Sequence, residues 1–165
     1  MSYHIYTTKG LVLAERPKRE ADRIYSLLTR DFGLVQAIAL GVRKEESKLR
    51  GALEPYVFSM VSLVRGKEYW RITSAESIKN ISPSQIVARP LALIEKFVQG
   101  EVAHPELFDA VWEAIFSPES DKEIFEIRIV SQILFHLGYL KETDLALDKR
   151  SLIKAINEGI QASHL

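Results

Sequence analysis

Residues 33–55, GLVQAIALGVRKEESKLRGALEP, join a short apolar segment to a cationic tract. Gly33 and Gly41 bracket the apolar segment, which predicts a strand over 34–40, and a short helical turn is expected over 47–53. The cations that follow the second glycine are Arg43, Lys44, Lys48 and Arg50. Because cations displayed on a surface loop attract a polyanion, nucleic acid is the first ligand to consider.

The composition indicates a folded protein without thiol chemistry. The 165 residues are 47% hydrophobic and 27% charged, which suits one large domain or two small ones. No cysteine is present, which excludes disulfides, thiolate zinc sites and cysteine nucleophiles. No apolar run reaches the roughly 20 residues that span a bilayer. The start, MSYHIYTTKG, has no signal-peptide pattern, so a cytoplasmic location is expected.

The zero net charge conceals an asymmetry between the two halves. Residues 1–80 hold 14 Lys and Arg against 9 Asp and Glu, a net +5. Residues 81–165 hold 8 against 13, a net −5. A basic half can bind a polyanion although the whole chain is neutral, because salt screens the distant acidic charges. The alternative is that surface charge has drifted without functional meaning.

The first half has the pattern of a small β structure. Short runs rich in β-branched and aromatic residues predict strands over 5–13, 24–29, 34–40, 56–64 and 69–74. Both alternating sets of 24–29 are largely apolar, so this strand is expected to be buried on both faces. Gly66 supplies a hairpin loop over 65–68. Five short strands in about 80 residues favour a closed barrel of the oligonucleotide-binding (OB) type, with a Src-homology-3-like barrel as the rival.

The second half changes to helical periodicity. Ser82 and Pro83 predict a helix start, Pro90 a kink or break, and Gly100 the end. A second helix is expected from Pro105 to Phe116.

A third and a fourth helix follow. Ser120 and Glu123 fit a capping box for the third, which is predicted to be central and buried and to run to about Leu137. A weaker helix is expected over 151–161. The predicted class is therefore α+β, with a five-stranded barrel domain over 1–80 and an α-helical bundle domain over 81–165.

Catalysis has little support in the sequence. The four histidines are scattered at His4, His104, His136 and His164, and no phosphate-binding, dinucleotide-binding or nucleophile-elbow motif occurs. We therefore expect no enzyme activity, no cofactor and no metal.

Nucleic-acid binding has better support. A first basic group is predicted in the loop between the first two strands, a second in 43–50, and a third beside the last hairpin. The first and third groups are Arg16, Lys18, Arg19, Arg23, and Arg65, Lys67, Arg71. Tyr69 and Trp70 offer rings on which a base could stack, although alternation turns one of them inward and Trp70 could belong to the barrel core. The basic groups could also be ordinary solvated loops.

The ordered motifs of this chain resemble the RecO family of bacterial recombination mediators. The motifs in the first half are GLVL at 10–13, EADR at 20–23, TRDFGL at 29–34, GVRK at 41–44, SKLRGALEP at 47–55, RG at 65–66 and TSAE at 73–76. The second half fits through PELF at 105–108, FEIRIV at 125–130 and LGY at 137–139. Many family members also carry a four-cysteine zinc motif, which this sequence lacks.

The resemblance implies an OB barrel followed by a helical domain in a non-enzymatic DNA repair protein of the nucleoid. Such a protein would bind single- and double-stranded DNA, anneal complementary strands, and work with RecR to load RecA onto DNA coated by single-strand-binding protein (SSB). The helical domain of some members binds the acidic, apolar tail of SSB.

Two sets of site residues follow as expectations. Those expected to contact DNA are Arg43, Lys44, Lys48 and Arg50, with help from Arg19, Arg23, Lys67 and Trp70. Those expected beside an apolar slot for the SSB tail are Lys96 and Arg128, although Arg128 could instead pair with a glutamate of a neighbouring helix. Alternatives are an adaptor that docks RecR or SSB with little DNA binding of its own, and an RNA-binding OB protein.

Overall fold

The computed structural model describes residues 3–82, 85 and 87–163. The chain forms two compact units, one of residues 1–82 with 100–104 and the other of 83–99 with 105–165. The α+β class is confirmed, since strands occupy the first unit and α-helices the second. Met1, Ser2, Pro83, Ser84, Ile86, His164 and Leu165 lie outside the described residues.

Five strands of the described residues form one closed sheet, which we call the barrel. The strands are β1 (Ile5–Pro17), β2 (Arg23–Thr29), β3 (Gly33–Ala39), β4 (Val57–Val64) and β5 (Trp70–Asn80). They are hydrogen-bonded in the order β1-β2-β3-β5-β4, and β4 returns to β1. All neighbours are antiparallel except β3 and β5, which pair in parallel at Ala37–Trp70 and Ile38–Arg71. A bulge between Val12 and Ala14 adds the bending that closure of a small barrel requires.

The barrel core is apolar and β2 is its most buried strand. Every residue of β2 after Arg23 is buried, which confirms the prediction that both of its faces are covered. Val12, Leu27 and Leu63 are fully buried in one cluster with residues of β3 and β5. A single-turn 3-10 helix, Gly51–Leu53, contributes a fully buried leucine to this cluster.

Residues 100–104 complete the barrel unit although they follow the first α-helix in the sequence. Gly33 has a φ of +72°, and a Cβ atom there would lie 2.2 Å from the carbonyl oxygen of Val102. The Glu101 carboxylate accepts a hydrogen bond from the Trp70 indole N–H at 2.8 Å and forms an ion pair with Arg65 at 3.1 Å. The sequence pattern did not predict this segment as part of the barrel.

The strand bounds correct the predicted position of the first basic group. β1 extends to Pro17 and β2 begins at Arg23, with the two residues paired to each other. Arg16 and Arg23 therefore lie on strands, and only Lys18 and Arg19 of that group lie in the loop.

Four α-helices of the described residues form the second unit. They are α1 (Ala88–Phe97), α2 (Pro105–Phe116), α3 (Lys122–His136) and α4 (Lys149–Ala162), with a 3-10 helix at Glu142–Ala146. The central position predicted for the third helix is confirmed, since α3 contacts α1, α2 and α4. Its burial is one-sided: Ile129 and Ile133 are fully buried, whereas Ile124 is 43% exposed.

Two predicted helix starts were wrong. α1 begins at Ala88 rather than at Ser82, and Pro83 lies outside the described residues. Pro90 causes no interior break because it falls in the first turn, where its missing N–H needs no helical partner. The cap of α3 is Asp121 rather than Ser120, because the Asp121 carboxylate accepts the N–H groups of Glu123 and Ile124. None of the described helices combines the length and apolarity needed to cross a membrane.

Candidate nucleic-acid interface

The β1–β2 loop, residues 18–22, is a tight turn with a buried carboxylate at its end. The Lys18 N–H donates to the carbonyl of Asp22 at 3.1 Å, and the Asp22 N–H donates to the carbonyl of Arg19 at 3.3 Å. Asp22 is only 9% exposed, although the residues before it are solvated. This turn presents carbonyl and carboxylate oxygens to the chain segment that follows β3.

That following segment, residues 41–50, is the basic loop, and it is fastened to the β1–β2 loop by three hydrogen bonds. The Gly41 N–H donates to Oδ1 of Asp22 at 2.8 Å. The Arg43 N–H donates to the carbonyl of Ala21 at 3.1 Å, and Arg43 Nη1 donates to the carbonyl of Glu20 at 3.1 Å. Gly41 has a φ of +64°, a conformation that glycine adopts without strain. The chain can therefore leave β3 and turn at once onto its neighbour loop.

The basic loop is also held from within. Arg50 Nη2 donates to the carbonyls of Arg43 and Lys44, and the Ser47 N–H donates to the carbonyl of Lys44 at 3.0 Å. Val42, which is 2% exposed, anchors the start of the loop in the barrel core. The loop backbone is therefore hydrogen-bonded at several points along its length.

These contacts separate the arginines of the basic loop from its lysines. Arg43 and Arg50 use guanidinium N–H groups on main-chain carbonyls. The ammonium groups of Lys44 and Lys48 are exposed and make no hydrogen bond or ion pair with any residue that the structure describes. The stem of Lys44 passes over Gly41, since a Cβ there would lie 3.5 Å from Lys44 Cδ. Lys44 and Lys48 are thus the loop cations best placed for an external anion.

The loop between β4 and β5, residues 65–69, meets the β1–β2 side of the barrel through Tyr69. Arg16 Nη2 donates to the Tyr69 hydroxyl at 3.4 Å. Lys18 Nζ lies 5.1 Å from the centre of the Tyr69 ring, within the range of a cation–π contact. Lys67 and Arg19 are exposed. The loops that carry Lys18, Arg19 and Lys67 therefore lie together, and Tyr69 is a partly exposed ring among their cations.

The structure corrects the prediction that Trp70 stacks on a base. Trp70 is 3% exposed, its indole N–H is bonded to Glu101, and its ring packs edge-on against Tyr6. The guanidinium of Arg65 lies 4.3 Å from the ring centre. Of the two adjacent rings, alternation turns Trp70 inward and leaves Tyr69 outward.

Arg23 is likewise tied to the barrel wall. It forms an ion pair with Glu15 of β1, and 30% of its side chain is exposed. Beside this pair, burial and then the Glu15 carboxylate raise the pKa of Tyr25 to about 12. Arg23 is therefore a component of the wall rather than a free loop cation.

The two cations expected to bind the SSB tail line different cavities of the helical unit. Lys96 borders a groove of about 580 Å³ between α1, α3 and α4, whose floor includes Leu93, Ile127 and Ile156. Arg128 borders a smaller cavity of about 290 Å³. Its guanidinium donates to the carbonyls of Ala114 and Ser117, at 3.1 and 2.8 Å, at the end of α2. Among the described residues, Arg128 therefore binds main-chain carbonyls rather than the glutamate considered as its alternative partner.

The described residues contain no group of His, Cys, Asp or Glu side chains arranged to hold a metal ion. The arrangement offers cations and one aromatic ring on a fixed backbone, which suits reversible binding of an anionic polymer.

The protein thus has a closed five-stranded barrel whose connecting loops carry exposed cations, an arrangement typical of small nucleic-acid-binding barrels. Residues 1–81 match the family described as Recombination protein O N terminal. The chain belongs to the RecO family.

Relatives with the name DNA repair protein RecO support this membership. The chain is 35% identical to the one from Dehalococcoides mccartyi over 141 residues, which cover 78% of this chain and 56% of the relative. It is 30% identical to the one from Heliobacterium modesticaldum over 166 residues, which cover 94% and 59%. A Synechococcus relative is 40% identical over 81 residues, 49% of this chain and 28% of the relative. The aligned region thus spans under three fifths of these relatives' length.

Proposed function

We propose that this chain is a non-enzymatic DNA-binding mediator of recombination in DNA repair, with an OB-type barrel as its DNA-binding domain. Membership of the RecO family supports the role, since the relatives are named DNA repair proteins. The observation that carries the proposal is the basic loop, because its backbone is fixed while the ammonium groups of Lys44 and Lys48 remain available.

The proposed interface combines phosphate contact with base stacking. Lys44 and Lys48 contact phosphates first, and Arg19 and Lys67 extend the path. Tyr69 replaces Trp70 as the ring on which an unpaired base stacks, a contact worth about 1–3 kcal/mol. Arg43 and Arg50 support the loop and add charge, while Arg23 contributes only to the local potential.

The proposed mechanism is charge neutralisation. Lysines that contact phosphates release condensed counterions, which makes binding favourable at low salt and weakens it as salt rises. Two strands whose mutual repulsion is reduced on such a surface can pair, so single-stranded and double-stranded DNA are both ligands and annealing follows.

Partners are part of the same proposal. RecR would cooperate with the barrel, RecA loading would be the outcome, and the SSB tail would use the groove beside Lys96, whose apolar floor suits its apolar residues. Arg128 is a weaker candidate for the tail because its N–H groups already bind two carbonyls. A cytoplasmic, nucleoid-associated location goes with this role.

The test is fluorescence anisotropy of the chain with labelled single-stranded DNA between about 50 and 200 mM salt. We expect micromolar or tighter binding at low salt and a logarithmic salt slope of about −0.7 per phosphate contacted. Lys44→Ala and Lys48→Ala should each reduce the slope by about 0.7, whereas Lys154→Ala, an exposed lysine of α4, should not change it.

Other outcomes select the alternatives. No binding at low salt, followed by capture of RecR, would support an adaptor. Tighter binding of structured RNA than of single-stranded DNA would support an RNA-binding protein.

A further inference from the structure

The Asp22 carboxylate lies beside the basic loop, although a negative charge there is unfavourable for binding an anionic ligand. Asp22 is 9% exposed and sits between Ala21 and Arg23 at the end of the β1–β2 loop. Its Oδ1 accepts the N–H of Gly41 at 2.8 Å. A negative charge this close to a phosphate path repels the ligand, so its presence calls for a structural reason.

We infer that Asp22 is a positioning residue that sets the backbone of the basic loop for polyanion binding. For its effect on affinity this inference rests on the proposed function. Its effect on the loop backbone stands without any ligand.

The bond from Gly41 to Asp22 fixes the first peptide of the basic loop. Gly41 is in the left-handed region and connects β3 to the loop, so this peptide determines the direction in which the chain leaves the barrel. Two residues later, the Arg43 N–H meets the carbonyl of Ala21, the residue next to Asp22. The carboxylate and this carbonyl therefore form a two-point docking site for the loop backbone.

The lysines depend on that docking through short connections. Lys44 follows Arg43 directly, its N–H donates to the carbonyl of Gly41 at 3.1 Å, and its stem lies over Gly41. Arg50 then binds the carbonyls of Arg43 and Lys44, which carries the order toward Lys48. A loop ordered before binding loses less conformational entropy when the ligand arrives.

Positioning and plain electrostatics predict opposite signs for one substitution. Asp22→Ala removes a negative charge, so electrostatics alone predicts tighter DNA binding. Loss of the Gly41 acceptor predicts weaker binding, by about tenfold if one ordered turn is released. Asp22→Asn keeps an acceptor oxygen of the same reach and removes the charge, so it should bind as tightly as the parent chain or more tightly.

The experiment compares Asp22→Ala, Asp22→Asn and a matched control, Asp31→Ala, by anisotropy with single-stranded DNA. Asp31 lies in the turn between β2 and β3, before the start of β3, whereas the basic loop follows the end of β3, and it accepts a hydrogen bond from the Thr8 hydroxyl rather than from the basic loop. We expect weaker binding for Asp22→Ala alone. Tighter or unchanged binding by Asp22→Ala would overturn the inference.

A double-mutant cycle separates positioning from general destabilisation. Lys48→Ala should weaken binding in the parent chain and have less effect when Asp22 is already alanine, because the displaced lysine no longer contributes fully. Equal effects of Lys48→Ala in both backgrounds would show that Asp22 acts elsewhere.

A measurement without DNA keeps the inference independent of the proposed function. Amide hydrogen exchange at Gly41 and Arg43, and trypsin cleavage after Lys44 and Lys48, should accelerate in Asp22→Ala and recover in Asp22→Asn. Acceleration in a chain that binds no DNA would support the loop role and refute the DNA proposal. If Asp22→Ala does not fold, Asp22→Glu keeps the charge, displaces the carboxylate by one methylene and should accelerate both readouts. Unchanged exchange in a folded variant without the acceptor would overturn the inference.

Discussion

In both the barrel unit and the helical unit, arginine side chains bind main-chain carbonyls, but with different consequences. In the barrel unit, Arg43 and Arg50 bind exposed loop carbonyls and leave Lys44 and Lys48 available. In the helical unit, Arg128 binds the carbonyls at the end of α2, where helix geometry leaves main-chain oxygens without partners.

Ion pairs occur in both units, but the barrel unit keeps a net positive charge. In the helical unit, Arg89 pairs with Glu126 and Lys149 with Glu123. In the barrel unit, the net charge of residues 1–82 is +5, and Glu101 lowers it to +4 for the whole unit. Hydrogen bonds from arginine to main-chain carbonyls thus satisfy the end of α2 in the helical unit and hold the basic loop in the barrel unit.

The largest expected effect concerns the backbone of the barrel unit. Gly33→Ala places a Cβ 2.2 Å from the Val102 carbonyl at a φ of +72°, and should destabilise the unit by at least about 3 kcal/mol. Gly100→Ala is the control, since its φ is +71° but nothing lies within 4 Å of the added atom, so about 1 kcal/mol is expected. Urea unfolding followed by circular dichroism measures both. Equal losses would mean that the approach to Val102 does not matter.

The next largest effect is expected from replacing Arg128, the arginine that binds the end of α2 in the helical unit. Arg128→Met keeps much of the volume and removes the two bonds to α2, which should lower the unfolding free energy by about 1–3 kcal/mol. Arg128→Lys should recover only part of this loss, because an ammonium cannot reproduce the guanidinium fork. DNA affinity should be unchanged in both. Weaker DNA binding at full stability would place Arg128 in a ligand site and refute the comparison.

A charge reversal in each unit tests where the available cations lie. Lys48→Glu should weaken DNA binding roughly tenfold at about 0.1 M salt, because a phosphate contact becomes a repulsion. Lys154→Glu reverses an exposed lysine of α4, 81% of whose side chain is exposed, and should have little effect. Anisotropy titrations of both variants provide the comparison. Comparable losses would indicate that the overall charge, rather than the basic loop, governs binding.

The smallest effect concerns Asp121 of the helical unit, which accepts main-chain N–H groups as Asp22 does in the barrel unit. Asp121 caps α3, and the N–H groups of Ile124 and Glu123 hold its pKa below the usual 3.8. Its stabilising contribution is therefore present above pH 3.8 and is lost as the pH falls through the lower folded pKa. Asp121→Asn retains a good cap and cannot be protonated, so it should leave the neutral-pH melting temperature almost unchanged and flatten its acid dependence. An unaltered acid limb in thermal melts would contradict the capping role.

Local pattern predicted much of the fold. Alternation located the strands, and apolar spacing located α2 and α3, because these signals reside in neighbouring residues. The end of β1 was missed since Arg16 and Pro17 resemble loop residues. The start of α1 was misplaced because the Ser82–Pro83 pattern fits a cap equally well in isolation.

The site was predictable in its charges and not in their roles. The basic loop is evident from composition, yet only three-dimensional contacts show that Arg43 and Arg50 are bound while the lysines are not. Alternation required one of Tyr69 and Trp70 to point inward but could not say which. Asp22 carried a weak signal, an acid directly before the second strand, and its partner Gly41 is 19 residues away.

Residues 100–104 delay the completion of the barrel unit during synthesis, because they follow α1 in the sequence. A ribosome makes the five strands first, and α1 must be synthesised before Glu101 and Val102 emerge. Until then, the Trp70 indole lacks its Glu101 acceptor and Gly33 lacks its neighbour. The barrel unit of the nascent chain is therefore complete only after α1 and residues 100–104 have been synthesised.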